Sequence, residues 1–178
     1  MKYYAGIGAR ITPPEILNAM YSAAKAMAQA NVVLRTGGSS GADQAFYDGL
    51  TKIKGESPTE LLELYPPYEG FNGFRYNGKT IFGPPTTEAR LMAKEYHPNW
   101  GMLGDLGRDF HARNCYQVLG FDLKTPADFI ICWTPNGKPV GGTAQAIRIA
   151  EKYNIPVFNL SSIDLPTASN KIMDIISA

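Results

Sequence analysis

The sequence predicts an α/β fold, a Rossmann-like three-layer sandwich with a mainly parallel sheet of five or more strands between helices. Short apolar segments alternate with segments of helical periodicity, and they lie at 2–8, 31–35, 61–65, 129–134 and 156–160. Such alternation is typical of parallel sheets, because each crossover carries a helix. Three of these strands end in glycine-bearing turns, at 6–10, 37–43 and 141–143. With 178 residues, 44% of them hydrophobic, one domain spanning 1–178 is expected.

The first quarter of the chain predicts two strands and two helices. The strand at 2–8 is followed by Thr12, which we expect to cap a helix over 14–30 that starts with prolines. The strand at 31–35 leads through the glycine-rich turn into a helix over about 42–53. The chain therefore begins β-α-β-α, the order of a doubly wound sheet.

After the strand at 61–65, an irregular insertion over about 66–86 is rich in Gly, Pro, Asn and aromatic residues. Irregular stretches of this length in compact domains are usually functional or mobile. One interpretation is a lid over the sheet edge or an arm for self-association. The other is a surface hairpin, since Asn77-Gly78 is a common hairpin turn.

The second half predicts helices separated by two further strands. Thr86 or Thr87 is expected to cap a helix that ends near His97. Later helices are predicted over about 103–119, from just after Thr143 to about Asn154, and over about 167–177. The run at 129–134 is almost continuously apolar, which is typical of a central parallel strand buried on both faces.

Composition argues against several classes of function. The net charge of +1 gives no overall field for nucleic acids or membrane surfaces, which leaves a local basic patch as the alternative. Two cysteines fit neither a disulfide framework nor a metal cluster, and the two histidines are too scattered for a metal site. No signal peptide precedes the first strand, and no apolar run approaches about 18 residues. We therefore expect a cytoplasmic protein that needs no metal and no cofactor.

The three glycine-bearing turns predict a ligand site, because the carboxyl ends of parallel strands share one edge of the sheet. Glycines permit close backbone approach, and helix N-termini attract anions. The candidate ligand-binding residues are Gly8, Ala9, Arg10, Thr36, Gly37, Gly38, Ser39, Ser40, Gly41, Asp43, Arg113, Asn114, Trp133, Lys138, Gly141, Gly142 and Thr143. No catalytic residue can be singled out from their spacing.

The candidates have different expected roles. Arg10, Arg113 and Lys138 are suited to neutralise phosphates, and Ser39 and Thr143 to hydrogen-bond phosphate or ribose.

Three other residues keep two interpretations each. Asp43 either accepts from a ribose hydroxyl or caps its own helix. Trp133 either stacks on a base or packs against the sheet, and His111 either reaches the site or is an ordinary packed or solvated histidine.

The pairing of Gly6-Ile7-Gly8-Ala9-Arg10 with the segment Thr36–Phe46 resembles the SLOG superfamily, which includes the Smf/DprA and LOG proteins. The later order of Arg113-Asn114, strand, Lys138 and Gly142-Thr143 is similar to the same family, including its small phage-encoded members. This resemblance covers roughly 1–50 and 108–160. It implies a Rossmann-like fold, a nucleotide-type ligand at the turns and self-association into a homo-oligomer.

One departure from the LOG pattern bears on activity. Alignment of Gly142-Thr143 places Ala146 where the LOG proteins carry a glutamate that works in N-glycosidic cleavage. Four carboxylates remain available without any spacing that selects one: Asp43, Glu69, Asp105 and Asp109. Glycoside cleavage normally needs a positioned carboxylate. Whether the protein is an enzyme is left open, and the resemblance favours binding over catalysis.

The leading expectation is a protein that binds a nucleotide or nucleotide-derived small molecule, as a sensor or by sequestering a signalling nucleotide. A nucleotide N-glycosidase of LOG-like type is one alternative. Single-stranded DNA binding of Smf/DprA type is the other, with bases stacking on aromatic side chains such as Tyr68, Phe71, Phe74, Tyr76 and Trp100. Those aromatic residues are equally suited to a core or a subunit interface.

Overall fold

A computed structural model describes residues 1–55 and 60–178. Within these residues the chain forms a five-stranded parallel sheet flanked by six α-helices. The strands are β1 (Tyr3–Gly6), β2 (Val33–Thr36), β3 (Leu62–Leu64), β4 (Phe129–Cys132) and β5 (Val157–Asn159). The helices are α1 (Pro14–Gln29), α2 (Ala42–Lys54), α3 (Thr87–Tyr96), α4 (Asp105–Leu119), α5 (Gly141–Lys152) and α6 (Leu165–Ser177). The predicted fold class is confirmed.

The strand order is β3-β2-β1-β4-β5, so β1 lies at the centre of the sheet. Ala5 pairs with Arg35 of β2 on one side and with Ile130 of β4 on the other, in parallel register. The chain progresses outward through β2 and β3, then returns to the centre at β4. In such sheets ligands bind outside the carboxyl ends of the strands where the order reverses. Here that position lies between the ends of β1 and β4.

Successive strand residues point to opposite faces of the sheet, so both faces carry side chains that need covering. Three helices cover each face. The first core joins the sheet to α1, α2 and α6 through buried side chains such as Met20, Phe46 and Ile172. The second core joins it to α3, α4 and α5 through residues such as Cys115 and Ile149. Both cysteines are buried free thiols, and burial raises the pKa of each to about 12.

Several element ends differ from the prediction. Thr12 does not cap α1: Pro13 occupies the N-cap position, and the Thr12 hydroxyl instead donates to the Ala9 carbonyl at 2.6 Å. Thr86 does cap α3, accepting from the Ala89 amide at 3.2 Å. Helix α5 begins at Gly141 rather than after Thr143.

The insertion 66–86 wraps around the β3 edge of the sheet. Asn77 organises its tip, since its Oδ1 accepts from the amides of Lys79, Thr80 and Ile81 at 2.9–3.0 Å. Ile81 bridges Leu64 in parallel, and no strand flanks Asn77-Gly78 on either side in this described segment, so the hairpin interpretation is wrong. In the described residues no helix combines the length and the apolar character needed to cross a bilayer.

Candidate functional site

A cavity of about 370 Å³ lies at the point where the strand order reverses. Its walls are the turn after β1, the glycine-rich turn after β2, one face of α4, and the turn that enters α5. The lining residues are Ile7, Gly8, Ala9, Arg10, Ile11, Ser39, Asp43, Phe110, His111, Arg113, Asn114, Gln117, Pro135, Val140, Gly141, Gly142 and Thr143. The volume is within the range of small-molecule sites, which is about 300–1,000 Å³.

The glycine-rich turn is held by hydrogen bonds within the protein. The Thr36 hydroxyl donates to the Gly6 carbonyl at 2.9 Å, which ties the turn to β1. The Asp43 carboxylate accepts from the Ser39 amide at 3.2 Å. Gly41 has a φ of +83°, and a Cβ there would lie 2.9 Å from the Arg10 carbonyl oxygen. Glycine is therefore required at Gly41 both for its conformation and for close packing.

Asp43 lines the cavity but is 4% exposed and bound to the turn. Burial raises the pKa of its carboxyl, while Arg113 and the amides of Ser39 and Gly37 act in the opposite direction. Neither interpretation from the sequence, a ribose contact or a cap of its own helix, fully describes the contacts of Asp43. Asp43 fastens the turn that precedes its helix.

Arg113 comes from α4 and is 5% exposed. Its guanidinium donates to the Gly37 carbonyl, to the Tyr65 carbonyl at 3.1 Å and to the Ser39 hydroxyl at 2.8 Å. A Cβ at Gly37 would overlap this guanidinium, so Gly37 makes room for it. Arg113 thus uses both of its terminal nitrogens to hold the turn.

Arg10 is the exposed cation of the cavity wall. Its guanidinium lies 5.6 Å from the centroid of the Phe110 ring, and Arg113 lies 5.4 Å from the same centroid. Within the described part of the chain, no carboxylate pairs with Arg10. Arg10 is consequently available to an anion that enters the cavity.

The N-terminus of α5 opens on the same cavity through Gly141, Gly142 and Thr143. No side chain of the described residues caps this end of the helix. The first amides of a helix and its dipole favour an anion at such a terminus. Asn114 donates to the Gly142 carbonyl at 3.4 Å, and a Cβ at Gly142 would lie 2.7 Å from the Asn114 amide nitrogen.

His111 also lines the cavity, and Gln145 fixes its proton. The Gln145 amide nitrogen donates to the His111 carbonyl at 2.8 Å, so the Gln145 oxygen faces the imidazole Nδ1, which must carry a hydrogen. Burial lowers the pKa of His111. The hydrogen bond to Gln145 acts in the opposite direction, and the His97 ring, with its centroid 4.2 Å away, adds to the lowering. Near neutral pH His111 is therefore uncharged, with Nε2 free to accept.

The structure brings ten of the seventeen predicted ligand-binding residues to the cavity. These are Gly8, Ala9, Arg10, Ser39, Asp43, Arg113, Asn114, Gly141, Gly142 and Thr143. The other seven do not line it: Thr36, Gly37, Gly38, Ser40, Gly41, Trp133 and Lys138. Trp133 packs against the first core, which matches its sheet-packing interpretation, and Lys138 is exposed outside the cavity.

Several lining residues were missed by the sequence analysis. They are Ile7, Ile11, Phe110, Gln117, Pro135 and Val140. Phe110 and Gln117 stand three residues before and four residues after Arg113, so helical spacing places all three on one face of α4. Helical spacing from Arg113 is therefore the sequence signal that would have found Phe110 and Gln117.

Comparison with known proteins found no matching family model, curated protein or solved structure.

Proposed function

We propose that this protein binds a mononucleotide or a nucleotide-derived small molecule, with its phosphate at the N-terminus of α5 and beside Arg10. One observation carries the proposal. The N-terminus of α5 and Arg10 face one cavity, at the point where the strand order reverses, and among the described residues the helix end is uncapped and the arginine has no carboxylate partner. Helix amides and a guanidinium together make a strong anion site. The resemblance to the SLOG superfamily supports the same class of ligand.

The remaining walls suit the nucleoside part of such a ligand. Phe110 offers a ring for a base, and the free Nε2 of His111 accepts from a ribose hydroxyl or a base amino group. A cavity of about 370 Å³ has room for one nucleotide unit. Because every one of these proposed contacts serves binding, we propose a role in sensing or sequestering the nucleotide.

The first prediction concerns Arg10. Arg10→Ala is expected to weaken the binding of AMP about tenfold or more, because a charge-assisted hydrogen bond contributes about 1.5–3 kcal/mol. Isothermal titration calorimetry with AMP, GMP, CMP and UMP measures the effect, with thermal shift as a first screen. Adenosine, which lacks the phosphate, should bind the wild type and Arg10→Ala alike.

Lys171→Ala is the matched control, since Lys171 is an exposed cation on α6 and lies outside the cavity. It should leave AMP affinity unchanged. If Arg10→Ala binds AMP as tightly as the wild type, Arg10 does not contact the phosphate. If no mononucleotide binds the wild type, the proposed function is wrong.

A nucleotide N-glycosidase is a second candidate, favoured by Asp43, which is the one carboxylate among the described residues that lines the cavity. Ala146, at the position of the LOG glutamate, is buried in the second core and supplies no acid. Because the Asp43 carboxylate is engaged by the turn amides, we expect no release of free base from nucleoside monophosphates. Chromatography of the reaction mixture checks this. Base release by the wild type that Asp43→Asn abolishes would establish the enzyme instead.

A further inference from the structure

A second cavity, of about 510 Å³, lies between the insertion and helices α3 and α4. It is lined by Pro67, Tyr68, Glu69, Tyr76, Pro84, Pro85, Thr87, Arg90 and Asp109. Most of this wall is proline and tyrosine, and the proposed function makes no use of it.

The charged groups of the second cavity are already paired. The Glu69 carboxylate accepts from the Tyr76 amide at 2.8 Å and lies 3.7 Å from Arg75. Arg90 donates to the Asp109 carboxylate at 2.6 Å. What remains for a ligand is a neutral, aromatic surface, which suits a flat uncharged ring better than a phosphate or a cation.

A row of three aromatic rings joins the two cavities. Phe110 lines the first cavity, its ring centroid is 5.5 Å from that of Phe71, and Phe71 is 5.3 Å from Tyr68 of the second cavity. Phe71 is only 8% exposed and supports its two neighbours, whereas Tyr68 is 45% exposed. On α4, consecutive residues face the two cavities: Asp109 the second and Phe110 the first.

We propose that the second cavity is a base-binding subsite, so that the full ligand is a linear dinucleotide with its 5′-nucleotide in the first cavity and its second base against Tyr68. This rests on the proposed function. Two points support it. The subsite is neutral and aromatic, and the Tyr68 ring is only two ring contacts from Phe110, with centroid separations of 5.3 and 5.5 Å along the row, which is within reach of a base one phosphodiester further along. Stacking on aromatic side chains tolerates any base, because every base has a π-face.

The test compares AMP with the 5′-phosphorylated adenine dinucleotide pApA by titration calorimetry. On the wild type, pApA should bind about tenfold or more tightly than AMP, the gain that one stacked base typically gives. Tyr68→Ala should remove most of that gain and leave AMP affinity unchanged. Tyr68→Phe, which keeps the ring, should retain it. Tyr153→Ala is the control, since Tyr153 is similarly exposed, at 40%, and lies outside both cavities.

The outcomes separate this inference from the proposed function. AMP binding without any gain for pApA overturns the second subsite alone. Equal loss of AMP and pApA affinity in Tyr68→Ala also overturns it, because Tyr68 would then act on the first cavity. Failure of both ligands to bind the wild type overturns the proposed function and the subsite together.

Discussion

Replacing Arg113 by methionine is expected to lower the free energy of unfolding by about 3–5 kcal/mol, the range seen when one partner of a buried charged network is removed. The guanidinium is 5% exposed, and its donors satisfy the carbonyls of Gly37 and Tyr65 and the hydroxyl of Ser39. Methionine fills much of the volume but donates nothing, so these acceptors stay buried without a partner. In this variant Asp43 also loses its interaction with Arg113, which is the largest contribution that lowers the Asp43 pKa against the effect of burial.

Urea denaturation followed by circular dichroism measures this loss, with the slope of the transition checked for constancy. Arg75→Met is the matched control, because Arg75 is 80% exposed and its ion pair with Glu69 spans 3.7 Å. Exposed pairs contribute about 0–1 kcal/mol. A loss below about 1 kcal/mol in Arg113→Met would contradict this prediction, because the turn would then be as stable without the guanidinium as with it.

Arg113 also illustrates what a sequence conveys about a site. Its type and position predict a cation near the glycine-rich turn, and the structure places it there. Its partners, however, are protein carbonyls and a hydroxyl. Guanidinium donors bind phosphate oxygens and carbonyl oxygens alike, so residue type does not distinguish the two uses. The choice depends on how close α4 packs to the turn, which is a tertiary property.

The order of elements was predictable because hydrophobic periodicity is local, whereas strand order is not. The alternation of strands and helices requires a parallel sheet, but the placement of β4 beside β1 depends on contacts between residues more than a hundred positions apart. That placement locates the cavity. The three glycine-bearing turns predicted the edge of the sheet at which the cavity lies, without showing which turns meet.

Trp133 shows an inference that the sequence permitted. It follows Ile131 by two residues, so the pleat of β4 directs both toward the same face of the sheet. Ile131 belongs to the first core, and Trp133 packs against it. Continuing the alternation one step beyond the strand end would have favoured the sheet-packing interpretation over base stacking.

A second buried arginine, Arg35, gives the other large expected effect. It is 2% exposed at the middle of β2, and its Nε donates to the Glu63 carboxylate at 2.6 Å while Nη1 donates to the Thr125 carbonyl at 2.5 Å. Its guanidinium lies 4.1 Å from the centroid of the Tyr3 ring. Arg35→Met is expected to cost about 3–5 kcal/mol of unfolding free energy, since Glu63 and the Thr125 carbonyl lose their charged donor.

Arg35 lies outside the first cavity, so its loss should act on stability alone. AMP affinity of Arg35→Met, measured at a temperature where the variant is folded, should equal that of the wild type.

In a double-mutant cycle with Glu63→Gln, the pair should show a coupling of about 0.5–3 kcal/mol, because removing the carboxylate's charge relieves part of the cost of removing the arginine. The Tyr65 hydroxyl also donates to Glu63, at 2.6 Å, and this hydrogen bond is expected to persist in Arg35→Met, which limits that relief. Additive losses in the two single variants would contradict the pairing of Arg35 with Glu63 as the source of its contribution.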